Sequence, residues 1–498
     1  MAGVVDKDLV SIQEARTAAE RAYEAFQAFA DAPQERVDRI CAAMAEAAVR
    51  AAARLGQMAY DETGYGNPSH KTIKNTFAAR NVWESIREIP TVGVIDRDDA
   101  KGLVQIAWPV GVVAALSPST NPTSTVIFKT LIAVKARNAI VHAPHPSAVK
   151  CCVEAASIMA EAAEAEGAPA GLIQSLQTIT LEGTQELMKH KRTSLILATG
   201  GSAMVRAAHS VGKPAYGVGP GNVPCYVDRS ADLKQAASYI VSSKAFDCSV
   251  ICSTEQAVVA DAPIAKDLRD LMEAEGAYFV DPAQAEALRR TLFHQDGAIN
   301  VATVGKTPQV LAQMAGIEVP EWARILVAPL NEVGPHEPLS REKLTTMLGF
   351  YEADGWRAGC DRCIELIQFG GRGHSLVIHA KDEDVVLAFG LEKPVFRIVV
   401  NTLGTLGAIG YTTNVMPSFT LGPGGMGRSI TGDNITVHHM YNVKRLAYQR
   451  RTPPPEILKK AEHRQPAVPK PAGGSKVDVQ RIETMVLDIL SEIKQQRS

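Results

Sequence analysis

Cys252, in the run F-D-C-S-V-I-C-S-T-E-Q, carries a side chain able to attack an electrophilic carbon. A thiol does this well only when part of it is thiolate, which favours an accessible, electropositive place such as a helix end or a cofactor-facing cleft. As a bare residue type, a cysteine is more often a small buried hydrophobe. Eight cysteines in 498 residues are too few for a disulfide scaffold, so one of them is free to act as a nucleophile. Cys360 and Cys363 form a C-x-x-C, but no second pair stands at zinc-ribbon spacing and the surrounding pattern is helical. That pair reads as structural, and no metal site is expected. Two other places have chemistry to offer. In L-A-T-G-G-S-A-M-V, two glycines follow a strand pattern and precede a helical one, where backbone amides can meet a pyrophosphate. A glycine there is also the ordinary way to turn a chain, and the spacing is not G-x-G-x-x-G. Asn121, in S-P-S-T-N-P-T-S, is either a turn residue before Pro122 or an amide that can donate to a developing negative charge without ionising.

These residues need elements to hold them. Residues 8–60 repeat apolar positions at helical spacing and predict two long amphipathic helices. From Ile106 onward, short β-rich runs alternate with helical stretches, as parallel βαβ units do. Q-I-A-W-P-V-G-V-V-A-A-L-S-P, A-R-N-A-I-V-H-A-P, L-I-Q-S-L-Q, S-L-I-L-A-T-G-G and V-P-C-Y-V-D make a first, nucleotide-binding series. Q-A-V-V-A, A-Y-F-V, R-I-L-V-A-P, G-F-Y-E, S-L-V-I-H and F-R-I-V-V-N make a second series after Cys252. The fold class is α/β. The expected divisions are 1–245 for the opening helices and cofactor domain, 246–425 for the catalytic domain, and 426–451 for a return and oligomerisation segment.

The bulk numbers exclude some functions. A formal net charge of -2 without a long basic run disfavours nucleic acid or an acidic membrane as partner. No apolar run approaches the roughly 20 residues that cross a bilayer, and the N-terminus lacks the order of a secretory signal. A cytoplasmic location is expected, which the resemblance described below makes that of a bacterium.

The segment S-K-A-F-D-C-S-V-I-C-S-T-E-Q resembles the nucleophile segment of coenzyme A-acylating aldehyde dehydrogenases, including the aldehyde dehydrogenase half of bifunctional aldehyde-alcohol dehydrogenases. The resemblance covers roughly residues 10–450. It implies an aldehyde dehydrogenase fold, with a Rossmann-like cofactor domain, an α/β catalytic domain and a small oligomerisation element. Cys252 matches the attacking residue, with Cys248 a neighbour, and Asn121 matches the donor to the oxyanion. Ser117, Pro118, His142, Pro144, Thr199, Gly200, Gly201, Gly219 and Glu342 fall on the cofactor-binding positions. Glu342 would hold the nicotinamide ribose, since a carboxylate accepts from two hydroxyls at once, although by sequence it could equally be a solvated helix residue. The run F-T-L-G-P-G-G-M-G matches a loop near the substrate entrance. The implied cofactor is NAD, with NADP possible, and coenzyme A is the co-substrate.

Hydrolytic aldehyde dehydrogenases carry a glutamate in an E-L-G-G-K type motif to activate water. Here the corresponding stretch reads Y-G-V-G-P-G-N-V-P, without an acid. Without a base poised near neutral pH, water attacks a thioester poorly, and the thiol of coenzyme A becomes the expected acceptor. The resemblance thus implies reversible oxidation of a short aldehyde to an acyl-coenzyme A by a homodimer or homotetramer. The alternatives are a hydrolytic enzyme giving a free acid and a non-catalytic cargo or scaffold protein.

Residues 452–476 are rich in proline and poor in large apolar groups, and read as a flexible linker. Beyond it, residues 477–498 place Val479, Ile482, Val486, Ile489 and Ile493 on one helical face. A tether followed by such a helix resembles the encapsulation peptides of bacterial microcompartments, with shell proteins or co-cargo as partners and the lumen as location. The other reading is a helix that folds back on its own subunit or oligomer.

Overall fold

The computed structural model describes residues 6–458 together with residues 480, 481, 484 and 485. Met1–Leu446 makes one compact unit and Ala447–Ser498 a second. In the second, Pro455–Leu458 is a short helix inside the stretch expected to be a linker. The helix expected over 477–498 lies almost wholly outside the described residues.

The opening periodicity produces two helices, Lys7–Phe29 and Gln34–Thr63. Asp6 caps the first by accepting from the N–H groups of Asp8 and Leu9 at 2.9 and 3.2 Å. Gly64 ends the second at φ 66°, a left-handed conformation that costs glycine nothing. Asn67 then caps a third helix, Pro68–Thr76, whose buried face carries Lys71, Lys74 and Asn75.

Strands β1 (Gly93–Asp98) and β2 (Leu103–Pro109) pair antiparallel. β3 (Val112–Ser117), β4 (Ala139–Pro144), β5 (Ile173–Ser175), β6 (Thr193–Thr199) and β7 (Ala215–Val218) form a parallel sheet in the order β5-β4-β3-β6-β7. β3 and β4 are buried along their whole length. That burial on both faces explains why their sequences read as continuous apolar runs and not as alternating ones. The chain winds from β3 out to β5, then returns to β6 and β7. The reversal leaves a crevice beyond the carboxyl ends of β3 and β6, where open α/β sheets bind ligands. The helix Pro122–Lys135, between β3 and β4, is buried on every side. Its Lys129 ammonium donates to the carbonyls of Leu116 and Leu197 at 2.6 and 3.0 Å, tying the ends of β3 and β6 together.

A second parallel sheet holds β8 (Val223–Val227), β9 (Glu255–Asp261), β10 (Ala277–Phe279), β11 (Ile325–Pro329), β12 (Met347–Ala353), β13 (Leu376–His379) and β14 (Ile398–Val400) in the order β10-β11-β12-β9-β8-β13-β14. The run V-P-C-Y-V therefore belongs here and not to the first sheet, because β8 pairs with β9 and β13. The changeover between the sheets lies at residues 219–222, upstream of the expected boundary at 245. Nothing local in that run marks which sheet it joins; the choice is made by partners up to about 150 residues away in the chain. β15 (Tyr441–Ala447) completes the three-stranded sheet in the order β1-β2-β15. The segment expected as a separate return element is thus joined to residues 93–109. No helix among the described residues is long and apolar enough to cross a membrane.

Candidate active site

A cavity of about 310 Å³ lies where the carboxyl ends of the first sheet meet the amino ends of the second. Residues 118–121 follow β3, Thr199–Gly201 follow β6, and Gly219 and Pro220 link β7 to β8. From the second sheet, residues 250–252 precede β9, and Glu342 and Leu344 precede β12. Seven of the eight cysteines are buried; Cys252 alone keeps partial exposure, and it lines this cavity. The apolar wall pushes its thiol up to about 12, the Glu342 carboxylate adds to the rise, and the Arg397 guanidinium and backbone N–H groups oppose it. Cys252 therefore rests as a thiol, and its activation needs either a base or added positive charge. Cys248 is buried and does not line the cavity.

Asn121 stands across from the nucleophile segment. Its Oδ1 accepts from the Lys74 ammonium at 2.6 Å, and its Nδ2 donates to the Val250 carbonyl at 3.1 Å. An ammonium only donates, so Lys74 fixes which end of the amide is oxygen and leaves the NH₂ on the side of Val250 and Cys252.

Lys74 is in turn paired with Asp247, whose carboxylate also accepts from Lys71 at 3.2 Å and from the Asn67 N–H at 2.6 Å. Asp247 is fully buried, and the backbone N–H of Asp247 donates to His70 Nδ1 at 2.8 Å. These contacts hold a strained turn: Asp247, Cys248 and Ser249 have φ of 47°, 50° and 65°. Each such non-glycine residue costs on the order of 1–3 kcal/mol, which the surrounding contacts must offset. Gly66 faces the same carboxylate; a Cβ there would sit 2.0 Å from Asp247 Oδ1.

The donor set suits a nicotinamide dinucleotide. Thr199, Gly200, Gly201, Gly219, Pro118 and Glu342 all line the cavity. Gly201 starts the helix Ser202–Ser210 without a side-chain cap, and neither Gly201 nor Gly219 has any atom within 4 Å of where a Cβ would be. The first N–H groups of that helix are thereby left for an anion. Glu342 Oε1 accepts from the Gly221 N–H at 2.9 Å, and burial raises its carboxyl to about 8 against the pull of Lys244 and Lys343. Ser117, His142 and Pro144 are placed differently from the others: they are buried within β3 and β4 and do not line the cavity. His142 Nε2 lies 2.9 Å from Thr130 Oγ1, and burial lowers its pKa to about 3.

Lys71, Lys74 and Asp247 were not singled out by sequence, nor was His374, a buried imidazole with an unpartnered Nε2. A Cβ on Gly221 would sit 2.3 Å from the Cys252 carbonyl oxygen and 3.0 Å from His374 Nδ1, so these groups crowd one point. Arg397 is buried and donates to the carbonyls of His374, Gly422 and Gly432 at 2.7, 2.6 and 2.8 Å, which fixes the glycine-rich loop after Phe419. Cys360 and Cys363 share the helix Gly355–Phe369 and are both buried.

The aldehyde dehydrogenase family model matches residues 6–282. Aldehyde-alcohol dehydrogenase 2 of Entamoeba histolytica is 42% identical over 426 residues, 84% of this chain and 49% of that protein. The chain spans about half the length of the curated relatives of this kind that it matches. The acetylating succinate-semialdehyde dehydrogenase of Clostridium kluyveri is 34% identical over 88% of this chain and 96% of its own. Among solved structures, an acetylating aldehyde dehydrogenase from Geobacillus thermoglucosidasius superposes with a TM-score of 0.89 at 50% identity, covering 91% of this chain and 100% of that one. A propionaldehyde dehydrogenase from the fucose utilisation bacterial microcompartment of Clostridium phytofermentans gives 0.80 at 28% identity, covering 87% and 97%. A propionaldehyde dehydrogenase of Rhodopseudomonas palustris, with bound CoA and an acylated cysteine, gives 0.79 at 26%, covering 87% and 97%.

The Asp247 cluster generates a stability prediction. Asp247→Asn keeps the shape but leaves two buried ammonium groups without their counter-charge, and should cost about 3–5 kcal/mol in urea unfolding at pH 7. Lys74→Met, which leaves the Lys71 pair in place, should cost clearly less; equal losses would mean that the carboxylate is not the shared anchor.

Proposed function

The chain belongs to the aldehyde dehydrogenase family, and from that footing we propose that it oxidises a short aldehyde with a nicotinamide dinucleotide and hands the acyl group from Cys252 to coenzyme A. The observation that carries the choice of acceptor is the stretch from Tyr216 to Pro224, which passes the cavity at Gly219 and Pro220 without a carboxylate. The acylating names of relatives and of well-matched structures support the same reading.

Cys252 adds to the aldehyde carbon: the carbon–sulfur bond forms as the carbonyl π bond breaks, and the thiol proton passes to solvent water. The Asn121 NH₂, oriented by Lys74, donates to the oxygen as negative charge gathers there; one such donor is worth about 3–4 kcal/mol of barrier. When bound, the nicotinamide supplies the hydride acceptor and a positive ring that favours the Cys252 thiolate. Glu342 takes the ribose hydroxyls, and Thr199 to Gly201 with the amino end of Ser202–Ser210 take the pyrophosphate. The resulting thioester on Cys252 is cleaved by the thiol of coenzyme A, regenerating the free cysteine. The reverse direction uses the same groups.

One observation favours hydrolysis instead: Glu342 is the one acid lining the cavity among the described residues, and a carboxyl with a pKa raised to about 8 could serve as a base. Steady-state assays on short aldehydes with and without coenzyme A separate the two. Turnover should need coenzyme A and yield acyl-coenzyme A, and Cys252→Ser should abolish it with folding intact. Rapid release of free acid without coenzyme A would overturn the acyl-transfer reading.

Glu342 also sets a pH dependence. Its carboxyl is raised in the folded protein from 4.5 to about 8, so between those values the folded state holds more protons than the unfolded one and stability falls as pH rises. The ionised form is the better ribose acceptor. Dinucleotide affinity, read by fluorescence of the reduced cofactor, should therefore tighten as pH rises through about 8, and Glu342→Gln should flatten that slope.

We propose further that residues 477–498 act as an encapsulation peptide for a bacterial microcompartment. The support is the sequence pattern and the likeness to a propionaldehyde dehydrogenase of such a compartment. Confinement suits volatile, reactive aldehydes. Deleting residues 476–498 should leave activity unchanged and abolish co-purification with shell proteins; undiminished co-purification would count against the role.

A further inference from the structure

Three arginines meet beside the catalytic cavity with nothing to hold them. Arg206 on the helix Ser202–Ser210, Arg372 before β13, and Arg428 after Gly427 line a hollow of about 510 Å³, which shares Gly219 and Pro220 with the cavity of Cys252. All three are exposed, and none of their guanidinium groups has a hydrogen-bond or ion-pair partner among the described residues. Among the described residues the hollow has no aspartate or glutamate in its lining, which also includes His209. Nearby arginines are used differently: Arg341 donates to the Gly297 carbonyl at 2.8 Å, and Arg397 is saturated by carbonyls.

The backbone that carries Arg372 and Arg428 is fixed by close packing. A Cβ on Gly427 would sit 2.6 Å from the Arg372 carbonyl oxygen, and one on Gly373 would sit 1.8 Å from that of Pro423, so the two loops interlock. Arg428 keeps φ 63°, a conformation that side chains other than glycine rarely adopt. Ser202, at the uncapped amino end of its helix, opens on the same hollow. Forked guanidinium groups, free amide donors and the absence of acids together match a compact dianion.

We infer that this hollow receives a ribose phosphomonoester, the group that distinguishes coenzyme A from its 3′-dephospho form and NADP from NAD. The inference rests on the proposed reading of the adjoining cavity. The shared wall at Gly219 and Pro220 lets one ligand reach Cys252 with its reactive end and the arginines with its distant end.

Calorimetric titration of the full chain with coenzyme A, 3′-dephospho-coenzyme A, NADP and NAD tests it. One pair should favour its phosphorylated member by about 10-fold or more, and that preference should shrink with added salt. Arg206→Gln, Arg372→Gln and Arg428→Gln should each erode the preference while leaving the unphosphorylated member's affinity unchanged. The discriminated pair identifies the source of the phosphate. Equal affinities within both pairs, no binding of either, or substitutions that weaken both members alike would overturn the proposal. Failure of the acyl-transfer reading shows separately, as free acid released by the unaltered protein while the phosphate preference persists.

Discussion

The Asp247 carboxylate is wholly out of solvent, and the catalytic end of the cavity depends on how its charge is compensated. Alone it would cost several kcal/mol. Two ammonium groups from the helix Pro68–Thr76 and a backbone N–H at that helix's cap compensate it, and so a helix far upstream in the chain is locked to the turn before Cys252. The same charges hold three consecutive left-handed residues in place. Through Lys74 the cluster reaches Asn121, so the nucleophile and the amide that faces it take their positions from one source. Remove the carboxylate and both lose their reference point.

Much of this was legible in the sequence where the signal was local. The two opening helices, the parallel strands and the turn at Thr199 to Gly201 all announce themselves by periodicity or by glycine. Cys252 stands out in the sequence because its neighbours resemble a known segment, and it is the one cysteine that keeps partial exposure. What sequence could not reveal depends on partners distant in the chain. β8 reads like any apolar strand, and only its pairing with β13 places it in the second sheet. Lys71 and Lys74 look like the solvated face of a short helix, yet both are 2% exposed and paired with a buried anion 176 and 173 residues further along the chain. Ser117 and His142, expected at cofactor positions, are buried within β3 and β4 and do not line the cavity, a burial that depends on the neighbouring strands and helices.

The stretch between the two sheets also takes on a second meaning. Read as a string, Y-G-V-G-P-G-N-V-P is notable for lacking an acid. In the structure it is the place where the chain passes from the first parallel sheet to the second, and Gly221 lies so near the Cys252 carbonyl that no side chain fits there. Its N–H instead holds Glu342, so the cavity's only acid comes from the opposite side, already engaged on one oxygen.

The burial of seven cysteines beside one that is open has a consequence for how the protein lives with reactive molecules. The proposed aldehyde substrate, and any oxidant around it, are electrophiles that would modify exposed sulfur indiscriminately. Packing that closes off Cys41, Cys151, Cys152, Cys225, Cys248, Cys360 and Cys363 turns a chain with eight thiols into one with a single point of attack. Chemical damage is thereby steered to Cys252, the position where the proposed reaction forms its covalent adduct and where the proposed second thiol would remove it.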